Sequence, residues 1–330
     1  MPRSKINPLE PRLDPDNPKQ MDVGGLMIPV TNMFTACIYG FGHHPQPKAR
    51  EYYFWRCADI LWNRDDIPEK LMEKHPWAEL MIKKLVRNRY VAIGGAASSG
   101  KSHLLAGWGI LTWLSQPKDT LVLMTSTALG AARHRIWGSV IALLTVSDTL
   151  PVNIRDSIGE ASYIDETGRT ISRAGLTLIA AEKSRSREAI GKMVGRKQKR
   201  ILLIADELGE IGESVLLGGL SNLSKNPFFQ LVGMSNPASR FDTFGIWSEP
   251  KKGWDSVNVE TDDEWKTKWG GTYIRLDGER SPNVEAGETV YPYLPTAEKL
   301  AEDKELLGEK SRAYYRMVRA VFFDSDETEG

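Results

Sequence analysis

The stretch RYVAIGGAASSGKSHLL, residues 89–105, decides how the rest of the chain is read. A short apolar run, RYVAIGG (89–95), ends in glycines. It has the length and composition of a strand buried on both faces. The run HLLAGWGILTWLS (103–115) is long enough for a buried helix. Between them, Gly95, Ala96, Ala97, Ser98, Ser99, Gly100, Lys101 and Ser102 fit G-x-x-x-x-G-K-[ST] at every position, with His103 next in line. The chemistry explains these residue types. A phosphate chain is wrapped by several backbone N–H groups at once, and Gly95 and Gly100 permit the angles and close approach this requires. The helix starting near Gly100 points its positive end at the anion. Lys101 reaches the β- and γ-phosphates, and the Ser102 hydroxyl is a Mg²⁺ ligand. The stretch predicts an ATP·Mg²⁺ site, and a glycine-rich turn without nucleotide is the alternative.

Working outward, TLVLMTS (120–126), LTLIAA (176–181), ILLIADE (201–207), FFQLVGMSNP (228–237) and GTYIRL (271–276) read as strands. TALGAARHRIWGSVIALL (127–144) and ESVLLGGLSNL (213–223) read as helices, and SYIDETGRTIS (162–172) as a hairpin. Apolar strands alternating with helices predict an α/β fold, a mostly parallel sheet covered on both faces. Residues 1–25, rich in proline and polar groups, read as an extended arm or poorly ordered tail. AREYYFWRCADILW (49–62) and PEKLMEKHPWAELMIKKLV (68–86) show helical spacing, with their tryptophans directed to core packing. The stretch 240–270 has no assignable period.

A phosphate loop needs a partner that holds Mg²⁺ and prepares water. ILLIADE supplies one: Asp206 emerges at the carboxyl end of a buried strand, where ligands collect in open parallel sheets. The expectation is that this strand neighbours the phosphate-loop strand, that Asp206 holds Mg²⁺, and that Glu207 orients and deprotonates the attacking water. A second acid directly after the first suits hydrolysis better than transfer to a bound acceptor. Ser235 and Asn236, at another strand end, are candidates for contacting the γ-phosphate; a plain Asn-Pro turn is the alternative.

The 330 residues carry 43 basic and 43 acidic side chains, so a general nucleic-acid coat is not expected and any DNA contact must come from a local patch. Such a patch exists: Lys183, Arg185, Arg187, Lys192, Arg196, Lys197, Lys199 and Arg200 crowd into one segment. Phosphate contacts from it would give DNA affinity that falls with salt. An arginine there could also reach ATP on a neighbouring subunit, and Arg133, Arg135 and Arg240 are further candidates. A solvated surface loop is the bland reading. No apolar run reaches the ~18 residues of a membrane span and no leader is visible. Cys37 and Cys57 read as buried small hydrophobes in a reducing compartment.

With these motifs placed, the chain resembles the ATPase domain of a tailed-phage large terminase, over residues 75 to 325. The resemblance rests on GAASSGKS (95–102), ILLIADELGEI (201–211) and GMSNPASRFDTFG (233–245) in that order, with RSPN (280–283) and SRAYYRMVRAVF (311–322). It implies a P-loop NTPase of the ASCE type with a small C-terminal lid. It implies a ring, usually pentameric, working with double-stranded DNA, a portal protein and a small terminase subunit on a procapsid in the host cell cytoplasm. It places a trans-acting arginine finger at Arg196 and coupling at Asn236, while the basic segment itself offers Arg185, Arg187, Lys192, Lys197 and Lys199 as DNA contacts. The family's Gly-Thr coupling pair is Ser235-Asn236 here. Its adenine-contacting glutamine motif is not evident, although Trp77 and Arg89 lie in that region. The expected organisation is an arm and helical extension (1–75), an ATPase core (76–270), and a final strand, lid and acidic tail (271–330) without the family's nuclease. Asp324 and Asp326 sit in that tail. The alternatives are another DNA-dependent P-loop ATPase, of helicase or recombination type, and a nucleotide-binding docking module with little turnover.

Overall fold

The computed structural model describes residues 7–30, 32–126, 135–181 and 198–324. It begins with strands β1 (Arg12–Leu13), β2 (Met21–Val23) and β3 (Leu26–Ile28), then helices α1 (Met33–His43), α2 (Pro47–Trp62) and α3 (Pro76–Arg87). The alternating part follows: β4 (Tyr90–Gly95), α4 (Lys101–Leu114), β5 (Thr120–Ser126), α5 (Ile136–Val146), β6 (Val152–Arg155), β7 (Glu160–Ile164), β8 (Thr170–Ala180), β9 (Arg200–Ala205), α6 (Glu213–Leu223), β10 (Phe229–Ser235) and α7 (Thr243–Ser248). β11 (Glu264–Lys266), β12 (Thr272–Leu276), α8 (Pro282–Ala286), α9 (Ala297–Leu307) and α10 (Arg312–Met317) complete it.

The large sheet has the order β11-β12-β4-β10-β9-β5-β8-β7-β6. From β12 to β8 all neighbours are parallel, and β11, β7 and β6 add antiparallel edges. Alternation along each strand feeds two cores. On β9, Leu202 and Ile204 join the cluster under α1–α5, while Ile201, Leu203 and Ala205 join the cluster under α6 and α7. This is why the parallel strands read as unbroken apolar runs. A smaller cluster, Leu300, Tyr314 and Val318, holds α9 and α10 together.

Two sequence expectations need correction, those for the amino-terminal arm and for the hairpin. Within the stretch 1–25 read as an extended arm or poorly ordered tail, and just beyond it, residues 12–28 form a three-stranded antiparallel sheet, with Met21, Val23 and Ile28 buried in the main core. The second arm of the hairpin and LTLIAA are one strand, β8, of 11 residues. Gly175 lets it turn from β7 toward β5: its φ is 135°, and a Cβ there would come within 2.2 Å of the Ala161 carbonyl oxygen. The helix expected over 127–144 is described from Ile136; residues 127–134 lie outside the described residues. The unassigned 240–270 stretch holds α7, a short turn of 3₁₀ helix and β11. Trp55, Trp62 and Trp77 are buried, as are Cys37 and Cys57, which are free thiols.

Candidate nucleotide site

The loop after β4 has the backbone of an anion nest. Ser98 and Gly100 both take left-handed conformations, φ 58° and 75°. Such residues turn successive N–H groups to one side. Gly100 then caps α4, whose amino terminus faces the same space. The first loop residue is anchored from behind, because the Ala96 N–H donates to the Leu276 carbonyl at the end of β12, 3.1 Å. Lys101 curls over its own loop. Its Nζ donates to the carbonyls of Gly95 and Ala96 (3.0 Å each), to Ser99 Oγ (2.9 Å) and to Asn236 Oδ1 (3.4 Å). Burial pulls the Lys101 ammonium down to about 8, against the opposing pull of Glu207 and Asp206.

The acids arrive from β9, which is not the neighbour of β4: β10 lies between them. The register pairs Gly94 with Ser235 and Ala205 with Gly233. Asn236 therefore follows from the strand in the middle, between the phosphate loop and the acid pair. Local sequence carries no information about this order. Asp206 is only 3% exposed, and its Oδ2 has no hydrogen-bond partner among the described residues. Burial, then the adjacent Glu207 carboxylate, pushes its carboxyl up to about 7, with Arg135 and Lys101 pulling the other way. Glu207 itself sits at φ 54°, a conformation that costs a non-glycine residue roughly 1–2 kcal/mol and so marks a place held by its surroundings.

Loop, acids and β10 tip line one cavity of about 480 Å³, with Ser98, Lys101, Ser102, Asp206, Glu207 and Asn236 on its wall. Ala97, Ser99, Gly100, His103 and Ser235 complete the set brought together from the sequence, while Gly95 and Ala96 lie just behind it as acceptors of the Lys101 ammonium. The donor set fits Mg²⁺. One hydroxyl and one carboxylate with an unmatched buried oxygen are what an ion completed by phosphates and water requires. No cluster of three or more His, Cys, Asp or Glu suited to a metal occurs among the described residues.

Two features were not read from sequence. The first is a contiguous cavity of about 400 Å³ that shares Ser98, Gly100 and His103 with the first and adds His75, Glu73 and Tyr293. His75 Nδ1 accepts the Ala78 N–H (3.3 Å), so the neutral ring carries its proton on Nε2; burial lowers it to about 4. Trp77, expected near this region, belongs to the core, and Arg89 bonds the Phe229 carbonyl at the opposite end of β4. No local pattern could join residues 75 and 293. The second feature is the ion pair of Arg135 Nη1 with Glu207 Oε1, 2.6 Å, within one chain. Arg240 instead pairs with Asp324 (2.6 Å), and Lys199 with Asp119 (3.0 Å). Arg133, Arg185, Arg187, Lys192, Arg196, Lys197 and Asp326 lie outside the described residues.

No family model and no curated protein matches the sequence. Among solved structures, the chain is similar to an arginine variant of the large terminase ATPase domain from Thermus phage P74-26, with TM-score 0.54 and 13% identity over 76% of this chain and 95% of that one. The HK97 bacteriophage large terminase gives 0.51 and 13%, over 80% of this chain and 54% of that one. A large terminase from a thermophilic bacteriophage gives 0.50 and 12%, over 80% and 52%. The chain thus spans about half the length of these two terminases. The shared property is the fold, a mostly parallel central sheet flanked by helices, in which one strand stands between the strands that carry the phosphate loop and the acids.

Proposed function

We propose that this chain is the ATP-hydrolysing motor domain of a phage terminase, moving double-stranded DNA into a procapsid. The observation that carries the ATPase part is the meeting of phosphate loop, Asp206, Glu207 and Asn236 on one cavity wall. The nest at Ser98–Gly100, the α4 amino terminus and Lys101 bind the triphosphate. The ring-lined cavity of His75, His103 and Tyr293 takes the base. Ser102 and Asp206 would hold Mg²⁺, which when bound neutralises charge on the phosphates. Glu207 accepts the proton of the water whose oxygen attacks the γ-phosphorus as the bond to the β–γ bridging oxygen breaks. Asn236 shares the Lys101 ammonium, and this contact supports the reading that it senses loss of the γ-phosphate.

The motor part of the reading rests on the fold and on the basic segment. Arg196 is assigned as the finger acting in trans. Arg185, Arg187, Lys192, Lys197 and Lys199 are assigned to DNA backbone, in a proposed pentameric ring on a portal with a small terminase subunit in the host cell cytoplasm. No helix among the described residues is long and apolar enough to cross a membrane.

The test is phosphate release by wild type, Lys101→Ala and Glu207→Gln, with and without duplex DNA. Loss of a general base lowers turnover by ~10²–10⁴-fold. Wild-type turnover retained by Glu207→Gln removes the catalytic assignment. Hydrolysis indifferent to DNA at every concentration removes the motor, and negligible phosphate release by wild type leaves a nucleotide-binding docking module.

A further inference from the structure

At the amino-terminal ends of the strands, across the sheet from Asp206, lies a larger cavity of about 630 Å³. It falls between the ends of α1, α3 and α4 and the first residues of β5, β9 and β10. Arg50, Arg87, Arg89, Lys199 and Arg200 line it, and no carboxylate does. In a chain with 43 basic and 43 acidic residues this one-sided wall is a concentrated positive field.

Three of the cations are engaged. Arg87 pairs with Glu51, Lys199 pairs with Asp119, and Arg89 donates to the carbonyls of Phe229 (2.9 Å) and Asn226 (2.7 Å). Arg50 and Arg200 form no ion pair among the described residues. Each is fixed by one bond: Arg50 Nε to the Phe41 carbonyl (2.8 Å), and Arg200 Nη1 to Ser115 Oγ (2.9 Å). A guanidinium has five N–H donors in a planar fork, so both retain donors suited to an oxyanion. Burial pulls Arg200 down to about 10, and the like charge of Arg50 adds to that pull. The same wall presents Thr112 and Thr120, 8% and 0% exposed, whose hydroxyl oxygens have no hydrogen-bond partner among the described residues. Phe228, 65% exposed, stands at the rim.

We propose that this cavity binds a phosphate group, gripped between Arg50 and Arg200 and carried by a free nucleotide-like compound or by a nucleic-acid backbone. The pair supplies charge and fork geometry, the threonine hydroxyls further donors, and Phe228 a ring face for a base or sugar. The volume falls within the roughly 300–1,000 Å³ of small-ligand sites, larger than inorganic phosphate needs. The site shares no residue with the nucleotide cavity at the other end of the sheet.

The experiment uses the full chain carrying Lys101→Ala, which weakens the phosphate loop as a competing site. Pyrophosphate binding is measured by calorimetry, and a labelled DNA duplex of about two helical turns by anisotropy. Arg50→Gln and Arg200→Gln are each expected to weaken at least one probe by ~tenfold or more. Weakening of pyrophosphate alone assigns a free phosphate compound; weakening of the duplex assigns the backbone. Arg200→Lys, which keeps the charge and loses the fork, is expected to lie between. Thr120→Val provides a neutral-for-neutral variant should Arg200→Gln fail to fold, and a several-fold loss is expected there. Parent protein that binds neither probe overturns the proposal, as do variants that bind both as the parent does.

Discussion

Asp206 makes the site costly to fold, and that cost is measurable. Its carboxyl rises from an ordinary 3.8 to about 7 because it is buried beside Glu207 with one oxygen unmatched. The folded state therefore holds the proton more tightly than the unfolded chain. The stability associated with that proton is complete below pH 3.8 and is lost as pH rises toward 7. At 1.36 kcal/mol per pK unit, the loss amounts to about 4 kcal/mol at pH 8 and about 1.5 kcal/mol at pH 5. Asp206→Asn cannot ionise and escapes it. Urea denaturation without nucleotide or magnesium should show Asp206→Asn more stable than wild type, by up to that amount at pH 8 and by clearly less at pH 5. Magnesium and ATP should narrow the gap, since they stabilise wild type by mass action and the variant less. A gap that does not change between pH 5 and pH 8, or a variant less stable than wild type at pH 8, refutes the reasoning.

The geometry of the site carries further expected outcomes. Arg135 covers one oxygen of Glu207, so Arg135→Ala should raise basal hydrolysis several-fold. Because both partners are partly exposed, it should change stability by under ~1 kcal/mol. Adding Glu207→Gln should bring turnover to the level of Glu207→Gln alone, and a distinctly different double variant would contradict this. Burial lowers Lys101 to about 8, so its charge is lost as pH rises through that value. ATP affinity should then fall, approaching about tenfold per pH unit above it; a flat profile from pH 7 to 9 in equilibrium binding would count against it. A Cβ at Gly94 would meet the buried Tyr273 hydroxyl at 1.9 Å. Gly94→Ala should cost about 1–3 kcal/mol in chemical denaturation, and Tyr273→Phe, which removes that hydroxyl, should recover part of it.

The phosphate loop and the acid pair were legible because each joins an apolar run to a polar tip within a few residues. The unbroken character of β4, β5, β9 and β10 likewise announces strands covered on both faces. What escaped was relational. That β10 runs between β4 and β9 is set by crossovers, and no window of sequence contains it. The same holds for Arg135 against Glu207 and for His75 beside Tyr293, pairs separated by long stretches of chain. The small sheet at residues 12–28 was hidden by its proline-rich setting. Its strands span two or three residues, too few to establish a period, and Met21, Val23 and Ile28 gain their burial by joining the main core rather than from their own pattern.

The strand inserted between loop and acids also fixes a gauge. Adjacent strands stand ~4.8 Å apart, so the tips of β4 and β9 are spaced at roughly twice that by backbone hydrogen bonds alone. The width of a single strand thereby sets the size of what can bridge the two banks.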